Sequence, residues 1–212
     1  VNKKIFITGL PRSGTTMLLF MCTYFNDVHV YTSREVHPFQ FFNQSIKNFP
    51  RTMAKEPYGL YHTTGREYTF KQMIERNYKI IVCLRDPRDV LVSKHKNDMS
   101  RYWVEPVWIE RCLNDLLPLK EHPNIIIIKY EDLVLNPKVE MERLSQFLGL
   151  TLREGYLNFH THPDTKKWNS LGQIRAVEPS RVKNWQNPEH AERLKKDLNS
   201  RIISLMKEFG YV

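Results

Sequence analysis

A short apolar run that ends abruptly on glycine constrains this chain more than any other feature. Lys3 to Thr8 reads as a buried strand, Gly9-Leu10-Pro11-Arg12-Ser13-Gly14 as a turn, and Thr15 to Phe25 as a helix. Met17, Leu18, Met21 and Phe25 supply the helical spacing of apolar side chains. Two glycines with four residues between them, set between a strand and a helix, have the spacing of a phosphate-binding loop. In such a loop, backbone N–H groups and the helix N-terminus cradle an anion. The competing explanation is a plain glycine turn that binds nothing.

The rest of the chain repeats the alternation. Lys79 to Leu84 and Asn124 to Ile128 have the length and branched content of strands in a parallel sheet. Helical signals run from Pro87 to about Lys96, and an amphipathic helix from Pro137 to Leu148 ends at Gly149, a natural C-terminal cap. From Pro188 to Phe209, apolar residues at steps of three or four predict one long, one-sided helix closed by Gly210. Strands alternating with helices indicate an α/β fold of three layers, with a mainly parallel central sheet flanked by helices. The 212 residues suit one domain, 1–212. Ligands in such sheets bind beyond the carboxyl ends of the strands. The irregular segments 31–70 and 155–190, rich in aromatics, His and Pro, are therefore candidate walls and lids around acceptor and donor.

Charge is informative through its distribution. The chain carries a net +9, with 15 basic and 8 acidic side chains in residues 1–100 against 17 and 15 in residues 101–212. A basic half suits nucleic acid, an anionic membrane surface or a compact polyanionic ligand. No dense Lys/Arg tract or zinc-finger spacing favours nucleic acid, and none is expected as a partner; a simply basic, solvated surface is the alternative. With 41% hydrophobic and 26% charged residues, the chain is not expected to be disordered, collagenous or a coiled coil. Its longest apolar stretches fall well short of the ~20 residues that span a bilayer. Cys22, Cys83 and Cys112 form neither a disulfide framework nor a zinc site by spacing. Cys22 and Cys83 sit in apolar runs and read as buried thiols, which suits a reducing compartment. A strand-like run almost at Val1 leaves no visible secretory signal, so a cytoplasmic protein is expected, with a Golgi-lumenal domain stripped of its anchor as the alternative. The sequon Asn43-Gln44-Ser45 is weak evidence for secretion.

The loop lacks two parts that a nucleotide triphosphatase needs. Thr15 stands where such an enzyme carries Lys, and Leu84 is followed by Arg85 rather than by the Asp that holds Mg2+. A transferring phosphoryl group normally requires a metal clamp. A sulfuryl group carries one unit of charge less, so basic side chains and backbone dipoles can stabilise its transfer without metal. Pro11-Arg12-Ser13-Gly14-Thr15-Thr16 resembles the 5′-phosphosulfate loop of the P-loop sulfotransferases, which use 3′-phosphoadenosine 5′-phosphosulfate (PAPS) as donor and release adenosine 3′,5′-bisphosphate. Arg12 stands where the soluble small-molecule enzymes usually have Lys, and Arg is usual in carbohydrate, tyrosylprotein and many bacterial members. Arg85-Asp86-Pro87-Arg88-Asp89-Val90-Leu91-Val92-Ser93 resembles the family's 3′-phosphate motif, a strand-end Arg with a helical Ser eight residues on. Tyr130-Glu131-Asp132-Leu133, followed by a helix ending Phe147-Leu148-Gly149-Leu150, resembles a third, mainly structural, run. The resemblance implies a P-loop-type fold, no metal, and donor contacts from Arg12, Ser13, Gly14, Thr15, Thr16, Arg85 and Ser93. Apart from the family, Arg85 forked onto a phosphate is chemically sensible, and pairing with Asp86 or Asp89 is its alternative.

Transfer to a hydroxyl needs a base near the acceptor oxygen. In the family this is a His, or a Glu in the loop after the second strand. Glu35 resembles that Glu, with His37 and His62 as rivals and a surface ion pair as the alternative for Glu35. A late basic loop of the family, serving the 3′-phosphate or adenine pocket, resembles Ile174 to Trp185, where Arg175, Ser180, Arg181 and Lys183 are candidate contacts and a solvated loop is the alternative. Aromatics such as Phe39, Phe41, Tyr58, Trp103 and Trp168 are candidate walls for a small-molecule or carbohydrate acceptor. The expectation is thus a PAPS-dependent sulfotransferase with Arg12 and either Glu35 or His37 in the chemistry. Its rivals are a P-loop small-molecule kinase and a non-catalytic nucleotide- or nucleic-acid-binding module. The sequence does not specify an oligomeric state.

Overall fold

The computed structural model describes residues 3–42, 49–58, 68–95, 98–171 and 174–212. β1 (Lys3–Gly9) passes through the loop into α1 (Thr15–Met21), followed by β2 (Val28–Val30), α2 (Pro38–Phe42) and β3 (Arg51–Lys55). Next come α3 (Phe70–Glu75), β4 (Lys79–Leu84), α4 (Pro87–Leu91) and a hairpin of β5 (Lys94–His95) and β6 (Asp98–Tyr102). α5 (Pro106–Leu116), β7 (Ile125–Lys129), α6 (Tyr130–Leu135), α7 (Pro137–Leu148), α8 (Ala191–Asp197) and α9 (Ser200–Glu208) complete the order.

Among the described residues the central sheet runs β2-β3-β1-β4-β7, every pairing parallel. Successive side chains of a strand point to opposite faces, and β1 shows the result. Phe6 enters one core with Phe41, Tyr78, Leu113 and Leu205. Ile5 and Ile7 enter the other with Leu18, Phe20, Ile128 and Leu144. Helices α3, α5 and α9 cover the first face, and α1, α6 and α7 the second. Burying each of these large side chains is worth ~1.5–3 kcal/mol. The three-layer α/β architecture expected from the alternation is the one observed. Cys22, Cys83 and Cys112 are free and buried.

Some expected elements are shorter or broken. The α-helix after the loop stops at Met21 and tightens into a 3-10 turn over Cys22–Tyr24 before Phe25 turns extended. α4 covers only the first part of the expected 87–96 helix. Asp86 caps it through the Arg88 N–H, but beyond it the Ser93 carbonyl accepts from the Trp103 N–H at 2.9 Å and draws the chain into the hairpin. The expected 188–209 helix is two helices. Leu198 leaves helical geometry (φ −85°, ψ 83°), and Asn199 restarts the helix by accepting from the Ile202 N–H at 2.9 Å. Half-buried Leu194 and Leu198 pack against the same core that takes Ile202, Leu205 and Met206, so the spacing alone did not reveal the break.

Segment 31–70, expected as wall or lid, contains β3, which lies beside β1 within the sheet. Segment 155–190 is mostly 3-10 turns, anchored by buried Phe159 and Trp168. The sequon and His62 lie outside the described residues. No helix among the described residues is long and apolar enough to cross a membrane.

The fold brings Gly9, Lys55, Arg85 and Tyr130 to one edge, at or just past the ends of β1, β3, β4 and β7. Gly9 cannot be replaced there: its φ is +126°, and a Cβ would lie 2.0 Å from the Cys83 carbonyl oxygen.

Candidate active site

The loop after β1 turns outward at Arg12, whose φ of 67° is left-handed, and re-enters α1 through Gly14 at φ 84°. A Cβ at Gly14 would sit 2.8 Å from the Tyr130 ring, so glycine lets that ring close against the loop. Ser13 locks the loop from behind. Its hydroxyl is shared between the carbonyls of Leu10 (2.5 Å) and Cys83 (2.8 Å), and its N–H donates to Leu10. Both the hydroxyl and the N–H of Ser13 are thus engaged in holding the loop. Gly14, Thr15 and Thr16 line the cleft, where the first N–H groups of α1 lack partners within the helix.

Two openings meet at the loop. The first, about 270 Å³, is lined by the loop and by Glu35, Lys55, Pro57, Arg85, Trp103, Tyr130 and Arg175, among others. The second, about 490 Å³, is lined by Asp89, Ser93, Ser180 and His190 in addition to residues it shares with the first. The shared residues are Arg12, Arg85 and Arg181, so three guanidinium groups stand at the junction. Arg12 Nε donates to Ser93 Oγ at 3.0 Å, and the guanidinium lies 5.7 Å from the Trp103 ring centre. Burial, with the charges of Arg85 and Arg181, pushes Arg12 down from the usual guanidinium value. Such a group remains a cation.

Arg85 holds the junction together. It donates to the Arg12 carbonyl (3.3 Å), the Arg181 carbonyl (2.7 Å) and Asp89 Oδ2 (3.2 Å), and stacks 4.5 Å from the Tyr130 ring centre. Its Nε–H is buried without a partner. The Asp89 side chain is wholly buried and also accepts from the N–H groups of Lys183 (3.1 Å) and Trp185 (2.8 Å). The late loop is thereby fastened over the second opening.

Across the first opening, Lys55 Nζ donates to Glu35 Oε1 at 2.7 Å. Lys55 is 1% exposed, and burial lowers its pKa against the opposing pull of Glu35. Its ammonium also lies 4.6 Å from the Trp168 ring centre. Behind the pair, the Glu56 carboxyl is buried with Oε2 unpartnered, and burial, reinforced by the Glu35 charge, pushes it up to about 8.

The model of the sulfotransferase domain family matches residues 2–167. The chain belongs to the sulfotransferase family. A 3-beta-hydroxysteroid sulfotransferase of Cavia porcellus is 28% identical over 102 residues, covering 39% of this chain and 35% of the relative. The chain thus spans about a third of that relative's length. Cytosolic sulfotransferase 1 of Arabidopsis thaliana is 23% identical over 233 aligned positions, covering 91% of this chain and 70% of the relative. Among solved structures, the sulfotransferase domain from the Synechococcus PCC 7002 olefin synthase superposes with a TM-score of 0.69 at 19% identity, covering all of this chain and 95% of the other. Mouse sulfotransferase SULT7A1, solved in complex with PAP, gives 0.56 at 13% identity over 98% and 89% of the two chains.

In this member of the family the remaining expected residues divide by position. Arg12, Arg85, Ser93 and Arg181 converge at the junction. Arg175 lines the cleft but is more than half exposed and lies 3.8 Å from Glu178. Lys183 contributes its backbone N–H to Asp89, and its exposed side chain lines neither opening. His37 also lines neither. Its ring accepts from the Phe39 N–H and packs edge-on against Phe39 and Tyr68. Glu35 is thus the expected base that reaches the cleft. Of the aromatics, Trp103 lines the cleft and Phe41 is core. Sequence reasoning missed Lys55 and gave Tyr130 only a structural place. Lys55 ends a strand of mixed composition, Arg51-Thr52-Met53-Ala54-Lys55, where hydrophobicity gives little signal. Among the described residues no group of three or more His, Cys, Asp or Glu could hold a metal.

Proposed function

We propose that this chain transfers a sulfuryl group from PAPS to a hydroxyl or amine of a small-molecule or carbohydrate acceptor, in line and without metal. One observation carries the reading. Arg12 belongs to both openings, so a single guanidinium faces two anionic subsites while the Glu35–Lys55 pair faces the first from the other side.

The donor's fit rests on this chain's own groups. Arg85, with its buried unpartnered Nε–H, together with Ser93 and Arg181 suits the 3′-phosphate, and Arg12 with the N–H groups of Gly14 to Thr16 suits the 5′-phosphosulfate. The donor supplies the sulfuryl group. Arg12 opposes the charge that develops on the bridging oxygen as the bond from sulfur to that oxygen breaks. Glu35 takes the acceptor's proton as the acceptor's bond to sulfur forms, and Lys55 fixes the carboxylate that receives it. A cytoplasmic setting is supported by three free thiols and by a likeness to a cytosolic plant relative.

Calorimetry with adenosine 3′,5′-bisphosphate tests the donor, with ATP–Mg2+ as the comparison. Tighter binding of the bisphosphate is expected. Tighter binding of ATP–Mg2+ overturns the reading in favour of a kinase.

A further inference from the structure

The buried ammonium of Lys55 has an aromatic neighbour that lines neither opening. Trp168 is 4% exposed and sets its ring edge-on against Phe20 of α1, with centres 6.3 Å apart. Its π face stands 4.6 Å from Lys55 Nζ, and its Nε1–H donates to the Thr32 carbonyl at 2.5 Å. Thr32 lies three residues before Glu35, and its hydroxyl donates to Asp164, which is also paired with Lys167 at 2.6 Å. One indole thus touches the partner of Glu35 with its face, the backbone leading to Glu35 with its edge, and the loop's own helix with its rim.

We propose that Trp168 is a positioning residue that holds the Glu35–Lys55 pair in register with the phosphate-binding loop, by keeping the Lys55 charge between its ring and the Glu35 carboxylate. The proposal rests on the reading of Glu35 as base. Its physical basis is the burial of Lys55. An ammonium at 1% exposure has lost its water, and a cation–π contact matters most in that condition. Asp164 and Thr32 then tie the element that bears the ring to the loop that bears the base. Without the ring, the charged form of Lys55 loses a partner, and the Thr32 carbonyl loses its hydrogen bond from the indole.

The charged and titratable groups facing Lys55 are Glu35 from the 31–37 loop, Glu56 at the end of its own strand, and the Cys83 thiol from β4. None of these residues is itself replaced in the Trp168 variants, so a change in the Lys55 titration reports loss of the ring together with any displacement of the Glu35 carboxylate that the ring holds. The test uses the full chain with side-chain-labelled lysine, assigns the Lys55 signal by its loss in Lys55→Arg, and follows it against pH by NMR. Trp168→Leu is expected to lower the Lys55 midpoint by about half to one pH unit, and Trp168→Phe by less. Affinity for adenosine 3′,5′-bisphosphate is expected to stay within twofold in both. Should Trp168→Leu not fold, Trp168→Phe alone must still lower the midpoint. An unchanged midpoint in the folded variants overturns the proposal, as does a loss of bisphosphate affinity in Trp168→Phe. Full turnover in Glu35→Gln is a separate result: it removes Glu35 as base, while the Lys55 midpoints of the wild type and the Trp168 variants, measured with Glu35 present, still report the ring.

Discussion

Arg12 and Ser93 lie 81 positions apart in sequence, yet the Arg12 Nε–H meets the Ser93 hydroxyl at 3.0 Å. The bond joins the loop after β1 to the turn after α4, and so links the two openings. Ser93 Oγ accepts from Arg12 and keeps its own O–H to donate, so an anion bound at Ser93 and the Arg12 guanidinium share one hydroxyl. The two anionic subsites are therefore coupled through one side chain.

Removing the hydroxyl separates these effects. Ser93→Ala should weaken adenosine 3′,5′-bisphosphate about tenfold, the worth of one hydrogen bond to a charged group. Arg85→Ala should weaken it by about a hundredfold or more, because that guanidinium also positions the carbonyls of Arg12 and Arg181. Calorimetry reads both. Wild-type affinity in Arg85→Ala would remove Arg85 from the 3′-phosphate site.

Glu35 and His37 are two residues apart and only one reaches the cleft. On any acceptor the wild-type chain sulfates, Glu35→Gln should lower kcat about 10²–10⁴-fold with bisphosphate affinity within twofold. His37→Asn should keep kcat near wild type. The reverse pattern would exchange their roles.

Glu56 makes stability depend on pH. Its folded pKa, near 8, lies above the ordinary carboxyl value of 4.5, so the folded chain holds a proton that the unfolded chain releases. Stability is then fully present below about pH 4.5, is lost as pH rises towards 8, and is flat beyond. Within that window each pH unit removes at most about 1.4 kcal/mol. Denaturant melts of Glu56→Gln should show a shallower decline between about pH 5 and pH 8 than the wild type. Identical slopes would show that Glu56 is ionised in the folded chain.

The features legible in the sequence were those with a local signature. Gly9 and Gly14 announce the turn because left-handed backbone and close approach demand glycine, and Arg85 follows a strand whose apolar run is continuous. Lys55 was hidden for the opposite reason. Its strand gains its place through pairing with β1 on one side and β2 on the other, and nothing in Thr52-Met53-Ala54 advertises that. The break at Leu198 was invisible because a kink that keeps the same face buried preserves the periodicity from which a helix is inferred. The partners of Ser13 were not legible either: its hydroxyl turns to the carbonyls of Leu10 and Cys83, which come close only in the folded chain.

The loop over the second opening hangs from Asp89 by the main-chain N–H groups of residues 183 and 185, not by their side chains. Any amino acid with a free amide can supply those bonds; only proline is barred, and at 183 the left-handed φ of 63° would welcome glycine or asparagine. The roof of the pocket is consequently spelled in an alphabet that side-chain patterns do not record. Its signature includes a buried aspartate elsewhere in the chain, and redesigning the outward surface of this loop need not disturb those two bonds.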